Sequence, residues 1–287
     1  MKKKLIVLTF LFLLINLMAS EYPFENNTFV FNAYYDDLIN PEFTFSFNSG
    51  FFTMNLPELD VKKNELGLYV SDIINSKYEI RRDDNFLFLI LESKSFMILF
   101  YEDLLCILMD STTGDTFWGI NRLSDYVRLG SRIKDTWVGV SNVAKSFVKY
   151  SSVLQEKING DLVYYNGYGK YYMQIGIPWV PAYQKDGIGE WIQKEIFHET
   201  NEFVIVNGFV KVDRQDLFYA NSRIKTISIV TEKGTWDFEL SDNPNPQIIN
   251  LPVSVKGNVR LIIKDIYKGN KYSDTCLSAF NILLKKP

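Results

Sequence analysis

Arg223-Ile224-Lys225-Thr226-Ile227-Ser228-Ile229-Val230 alternates with period two, and after the turn at Lys233-Gly234 so does Thr235-Trp236-Asp237-Phe238-Glu239-Leu240. In a strand, side chains two residues apart share a face, so Ile224, Thr226 and Ser228 are set against Lys225, Ile227 and Ile229. The pair reads as two antiparallel strands joined by a tight turn. Moving outward, Pro244-Asn245-Pro246 breaks the chain before Gln247–Leu251, and Val259–Ile266 and Leu277–Leu284 read as further strands. Upstream, Glu190–Phe197 and Asn201–Val206 are strand-like, and Asn207-Gly208 is a turn dipeptide before Phe209-Val210-Lys211. About seven or eight short strands in this length predict an antiparallel sandwich or jelly roll.

The first half is also β. Thr28–Phe31, Phe43–Phe47, Phe51–Met54, Tyr78–Ile80, Phe86–Leu91, Phe96–Tyr101 and Leu104–Met109 are short apolar or alternating runs. Asn48-Ser49-Gly50, Arg82-Asp83-Asp84-Asn85 and Ser111-Thr112-Thr113-Gly114-Asp115 punctuate them. Strands at this spacing predict a small antiparallel barrel or meander over residues 21–125. Between residues 126 and 170 the signal weakens; the stretch reads as a connector, with a short helix expected over Asn142–Glu156. Residues 171–287 then form the second unit, and the whole chain is expected to be all-β.

Met1-Lys2-Lys3-Lys4, the apolar run Leu5–Leu14 and the small residues Ala19 and Ser20 have the layout of a secretory signal peptide over residues 1–20. The apolar run is too short to span a bilayer comfortably, and no later stretch is a spanning candidate. The expected product is secreted or periplasmic, without a membrane span once the leader is removed. Cleavage takes three lysines from the 31 basic residues, so 28 face 34 acidic ones, a net charge of −6. No basic patch or stripe is visible, which argues against nucleic acid as a partner. Two cysteines, Cys106 and Cys276, are too few for a disulfide scaffold. Cys106 reads as a core residue, and whether it bridges to Cys276 stays open, because sequence does not give their separation.

Pro178-Trp179-Val180-Pro181-Ala182-Tyr183-Gln184-Lys185-Asp186-Gly187-Ile188-Gly189-Glu190-Trp191-Ile192 concentrates prolines, glycines and tryptophans in one loop. Three further pieces follow it in order: Asn207–Lys211, Asn221-Ser222-Arg223-Ile224-Lys225, and Ile266–Ser278. Together the four resemble the NADase-type glycan-binding domain of secreted bacterial proteins, a relative of the discoidin or coagulation-factor C-domain fold. The chain departs from that pattern at Val180-Pro181-Ala182, where a valine-glutamate-glycine step is usual, and at Ala279, where an acidic residue is. The resemblance implies a discoidin-like jelly-roll β-sandwich and a bound glycan, with the loops gathered at one end of the sandwich.

A sugar ring offers an apolar C–H face rimmed by hydroxyls, so a lectin-like site combines flat aromatic faces with short polar groups. The loop after Pro178 offers Trp179 and Tyr183 for stacking and Asp186 as an acceptor; Trp191, opening a strand, reads as core. The loop Asp213–Asn221 offers Tyr219 and Asn221, with Arg223 as a forked donor. Tyr267, Tyr272 and Asp274 complete the candidate set. No cofactor motif is present: Gly187-Ile188-Gly189 lacks the third glycine and the helix of a dinucleotide fingerprint. The single histidine, His198, excludes a multi-histidine metal site within one chain. No EF-hand spacing links Asp213, Asp216 and Asp274, so no metal site is assigned. No nucleophile-elbow motif occurs, and no local motif nominates a carboxylate pair. The expected function is therefore non-catalytic carbohydrate binding. The alternatives are an extracellular protein-interaction module with a cell-surface protein partner, and an enzyme acting on envelope polysaccharide.

Overall fold

The structure, a computed structural model, describes residues 22–31, 43–55, 74–127, 148–167, 175–182 and 186–285. The expected leader (1–20) and Tyr183 lie outside the described residues. Nearly all regular structure is β, in two large antiparallel sheets.

In the first half, β1 (Thr28–Phe31), β2 (Phe43–Asn48), β3 (Phe51–Asn55) and β4 (Ile74–Lys77) form one meander. A second comprises β5 (Glu79–Asp83), β6 (Phe86–Ile90), β7 (Ser95–Tyr101), β8 (Leu105–Asp110) and β9 (Thr116–Asn121). They join through β1 and β9 into a nine-stranded sheet, in the order β4-β3-β2-β1-β9-β8-β7-β6-β5. The β2–β3 turn places Ser49 and Gly50 at φ 51° and 79°, the two positive φ values a tight hairpin requires. β3 and β7 stand five strand positions apart, about 24 Å in a flat sheet. Yet the Phe52 and Phe96 rings lie 6.1 Å apart, so the sheet must curl round on itself. Phe29, Phe31, Phe45, Phe47 and Phe52 fill the enclosed space with Leu89, Cys106 and Leu108.

The outer face of β6–β9 is buried as well. Phe86, Phe88, Met97, Leu99, Ile107 and Trp118 share a cluster with Val204, Val206, Phe218 and Leu283 of the second half. Burial on both faces explains why Phe86–Leu91 and Leu104–Met109 are continuous apolar runs rather than alternating ones.

The second sheet contains β10 (Tyr126–Val127), β11 (Val148–Tyr150), β14 (Trp191–Asn207), β15 (Ser222–Thr231), β16 (Gly234–Glu239), β17 (Gln247–Tyr267) and β18 (Thr275–Lys285). β12 (Gln155–Ile158) and β13 (Asp161–Tyr164) form a separate hairpin, and the five-residue α1 (Asp216–Ala220) precedes β15. The order is β10-β18-β14-β17-β15-β16, with β11 also on β14, and a parallel pairing of Ser222 and Arg223 with Thr275 and Cys276 links β15 to β18. β14 and β17 run 17 and 21 residues, and β14 pairs with β17 on both sides of register shifts around Thr200. Their core contains Trp179, Ile205, Ile227, Leu261 and Phe280.

The opening hairpin forms as read, with one refinement. Register shifts between Ile224 and Ile227 break the period, so Ile224, Ile227 and Ile229 all reach the core. The segment read as a connector supplies β10 to β18 and β11 to β14. The helix expected over Asn142–Glu156 is corrected: its described part is β11 and the start of β12, because Val148–Tyr150 completes the edge of β14. Cys106 and Cys276 are both free thiols, buried apart in different surroundings.

Candidate functional site

The loop Lys268–Asp274 is the hub of one end of the sandwich. Asn270 N donates to Tyr219 O at 3.0 Å and Tyr272 N to Ala220 O at 2.7 Å, tying the hub to α1. Ser222 N donates to Asp274 O at 2.9 Å, and Gly269 N to the Ser222 hydroxyl at 3.1 Å. On the other side, the Thr275 hydroxyl donates to the Asp186 carbonyl. Gly187 (φ 73°) turns there beneath Pro181, where a Cβ would stand 3.3 Å from the proline ring and 3.4 Å from Thr275. The loops expected to gather at one end are thus linked by direct hydrogen bonds.

Several side chains expected to meet a ligand are used by the fold instead. Trp179 is 1% exposed. Its backbone exchanges hydrogen bonds with Leu277 at 2.8 and 3.0 Å, its indole donates to Ser152 O at 3.0 Å, and its ring packs near Tyr150. Pairing with β18 turns the ring inward, which corrects its reading as an exposed stacking face. Arg223 is likewise committed. Its guanidinium grips both oxygens of Asp242 at 2.9 and 2.7 Å, and donates to Asn221 O at 2.9 Å and Lys268 O at 3.3 Å. It also lies 5.5 and 5.4 Å from the ring centres of Phe218 and Tyr219. Asn221 is buried and closes α1 through Nδ2 to Leu217 O at 2.8 Å. The Tyr267 hydroxyl donates to Leu240 O at 2.9 Å, and Tyr219 accepts from Asn85 of the first sheet.

Tyr272 remains open to solvent at 41%, with Lys271 Nζ 5.0 Å from its ring centre. Asp186 and Asp274 are partly buried. Burial raises the Asp274 carboxyl above the ordinary range, and the neighbouring Glu156 adds to the rise by like-charge repulsion. Burial also pushes the Tyr165 phenol up to about 12, reinforced by the charge of Glu156 and a hydrogen bond to it. Glu156 and Tyr165 belong to the hairpin β12–β13 and its root, and the exposed Tyr164 stands beside them. They fell in the segment read as a connector. The signal that locates them is Asn159-Gly160, at φ 52° and 93°, the two-residue turn of a hairpin.

Chemically, this end offers carboxylates, phenols and backbone groups beside partly exposed aromatic faces. Among the described residues, no group of three or more His, Cys, Asp or Glu side chains is placed to hold a metal ion. Nor is any described helix long and apolar enough to cross a membrane.

A family model described as the NAD glycohydrolase translocation F5/8 type C domain matches residues 140–283. The match begins ahead of β11 and ends within β18. No curated protein matches the chain. Among solved structures, the arabinofuranosyltransferase AftD from Mycobacteria is similar at 11% identity and a TM-score of 0.30, over 48% of this chain and 12% of that one. A likeness that slight carries no argument.

Proposed function

The chain belongs to the NAD glycohydrolase translocation F5/8 type C domain family, and on that premise we propose that it is an exported, non-catalytic protein that binds a glycan at the loop end of its C-terminal β-sandwich. The observation that carries the reading is the polar cluster of Glu156, Tyr165 and Asp274, with the exposed Tyr272 on the same loop as Asp274. Raised carboxyl and phenol groups exchange hydrogen bonds with sugar hydroxyls, and an exposed tyrosine face supplies an apolar platform. Export is supported by the leader-like start of the sequence and by the name of the family.

The test is a glycan array probed with the full chain, followed by titration of any hit. Tyr272→Ala is expected to weaken binding by ~1–3 kcal/mol, the scale of losing an aromatic contact, and Asp274→Ala to weaken it further. An empty array, or a hit unaffected by either change, removes the site from this end of the molecule.

A protein-interaction role is the second reading. It is favoured by the hairpin β12–β13, which exposes Ile158, Leu162 and Tyr164 at 44, 47 and 48%. Competition by free sugar separates the two readings: a protein partner on the hairpin would not be displaced.

A further inference from the structure

Trp191 reads as core in the sequence, but the structure turns it to the outside. Period two along β14 sends Ile192 and Ile196 into the core, so Trp191, Gln193 and Glu195 share the opposite face. Across the ladder Trp191 stands opposite Ile262, Gln193 opposite Arg260 and Glu195 opposite Asn258. Lys149 of β11 stands opposite Gln193 on its other side. Directly opposite residues of an antiparallel pair share a face. Trp191, Gln193 and Arg260 are each partly open to solvent, and Lys149 and Asn258 are exposed. The first unit packs elsewhere, against Val204, Val206 and Leu283.

On this face the Arg260 guanidinium lies 4.2 Å from the Trp191 ring centre. Stacking holds the guanidinium in place and leaves its in-plane N–H groups to acceptors. One edge is used: Nε and Nη2 donate to Gln193 Oε1 at 3.1 and 2.8 Å. Gln193 is itself fixed, because its Nε2 donates to Asn258 Oδ1 at 3.0 Å. The Nη1–Nη2 edge remains for a two-oxygen acceptor. Arg214 and Arg223 spend their charge on aspartates, whereas the partners of Arg260 among the described residues are neutral. Charge on the face points to the same guest. Lys149 flanks Gln193, and the exposed Lys264 lies about 13 Å further along β17. Glu195, and Asp237 on β16, bound this cationic strip on two sides. Trp191 and Ile262 add apolar surface for the C–H groups of a ring. An extended peptide takes its affinity from main-chain hydrogen bonds at an open edge. Here β14 lies between β11 and β17, and β17 between β14 and β15, so the face offers side chains alone.

We propose that Trp191 and Arg260 form the centre of a second binding face, which takes an acidic polysaccharide of the uronate type. The sugar carboxylate sits on the Nη1–Nη2 edge near Lys149, and its ring lies against Trp191 and Ile262. The face is separate from the loop end, since Arg260 and Tyr267 stand about 23 Å apart along β17. It does not depend on glycan binding by the loops.

The test titrates the full chain with short oligomers of galacturonate and of hyaluronan. The methyl-esterified form of whichever binds is the uncharged control, and polyglutamate is the peptide control. At least one uronate should bind in the millimolar range or tighter, more weakly as salt rises. Esterification should lower affinity about ten-fold or more, and so should Arg260→Lys, which keeps the charge and loses the fork. Trp191→Leu should weaken binding, and Tyr272→Ala should leave it unchanged. An unaltered melting temperature checks that each variant folds. Lys149→Gln, at an exposed position, should weaken binding several-fold and tests the face if Arg260→Lys does not fold. The proposal is overturned if neither uronate binds, if the ester binds as well as the acid, if Arg260→Lys or Lys149→Gln binds like the parent, or if polyglutamate displaces the sugar. Should Tyr272→Ala abolish binding while Arg260→Lys does not, the uronate sits at the loop end, and that reading stands while this one falls.

Discussion

Arg223 looks like a ligand donor in the sequence because a guanidinium in a polar loop is the usual partner of hydroxyl and carboxylate groups. In the fold its fork is spent on Asp242 and two carbonyls. Removing one partner of a buried pair strands the other, at about 3–5 kcal/mol; Asp242 is a third exposed, so about 2–3 kcal/mol is expected for Arg223→Met. Urea unfolding measures it, and a loss of glycan binding with unchanged stability would return Arg223 to the ligand set. Lys194 presents the opposite situation. Its ammonium donates to the Phe280 carbonyl and to Asn281 Oδ1 at 3.3 Å, and burial brings its pKa down to about 8 from 10.5. Below pH 8 both folded and unfolded chains hold this proton, and the buried charge costs stability. Between about 8 and 10.5 the folded chain releases the proton first, so stability rises with pH. The buried thiols of Cys106 and Cys276, held well above their ordinary range by burial, act with the opposite sign from about pH 8 upward, and Tyr126 and Tyr165, pushed up to about 12, join them above about pH 10. Lys194→Met should therefore make the slope of denaturant midpoints between about pH 8 and 9.5 more negative than in the parent; an unchanged slope would show that Lys194 does not contribute to it.

Elements were legible where one rule dominated. Phe45 and Phe47 alternate with Thr44 and Ser46, and the strand they predict is present, with both phenylalanines buried. Period two fails where a bulge intervenes: Ile224 and Ile227 have opposite parity, yet both are core, because the register shifts between them. The stretch 148–164 hid its strands for another reason. β11 is three residues long, and the hairpin β12–β13 is largely exposed, so neither carries a hydrophobic pattern. Trp179 was misplaced because its inward turn depends on pairing with Leu277, almost 100 residues downstream, which no local window contains. Gly187 makes a turn of its own. Its φ of 73° and the closeness of Pro181 make Gly187→Ala costly, about 1–3 kcal/mol. That should show as a lower melting temperature together with weaker glycan binding, since Asp186 and Thr275 move with the turn. An alanine variant that melts like the parent would show that the turn tolerates another conformation.

At the scale of the whole molecule, the two sheets are not beads on a string. Phe86, Phe88 and Trp118 of the first pack with Val204, Val206 and Phe218 of the second, and Phe100 N donates to Asn245 Oδ1 at 3.2 Å. The Phe86 and Phe218 rings meet edge to face at 6.0 Å, directly beside α1 at the loop end. The first unit therefore buttresses a loop that sequence alone assigned to ligand binding. Cutting the chain before residue 171 would strip β11 from β14, delete the hairpin with Glu156 and Tyr165, and expose the apolar face of β14 to water. An isolated 171–287 fragment is expected to aggregate or to unfold at a much lower denaturant concentration. The full chain should unfold in one transition that coincides by circular dichroism and tryptophan fluorescence, because Trp118 reports the first unit while Trp179, Trp191 and Trp236 report the second. Two separated transitions, or a fragment as stable as the parent, would show that the shared core contributes little. Glycan binding should then be assayed on the intact chain, where the hub loop keeps its support from α1 and α1 keeps its support from the first sheet.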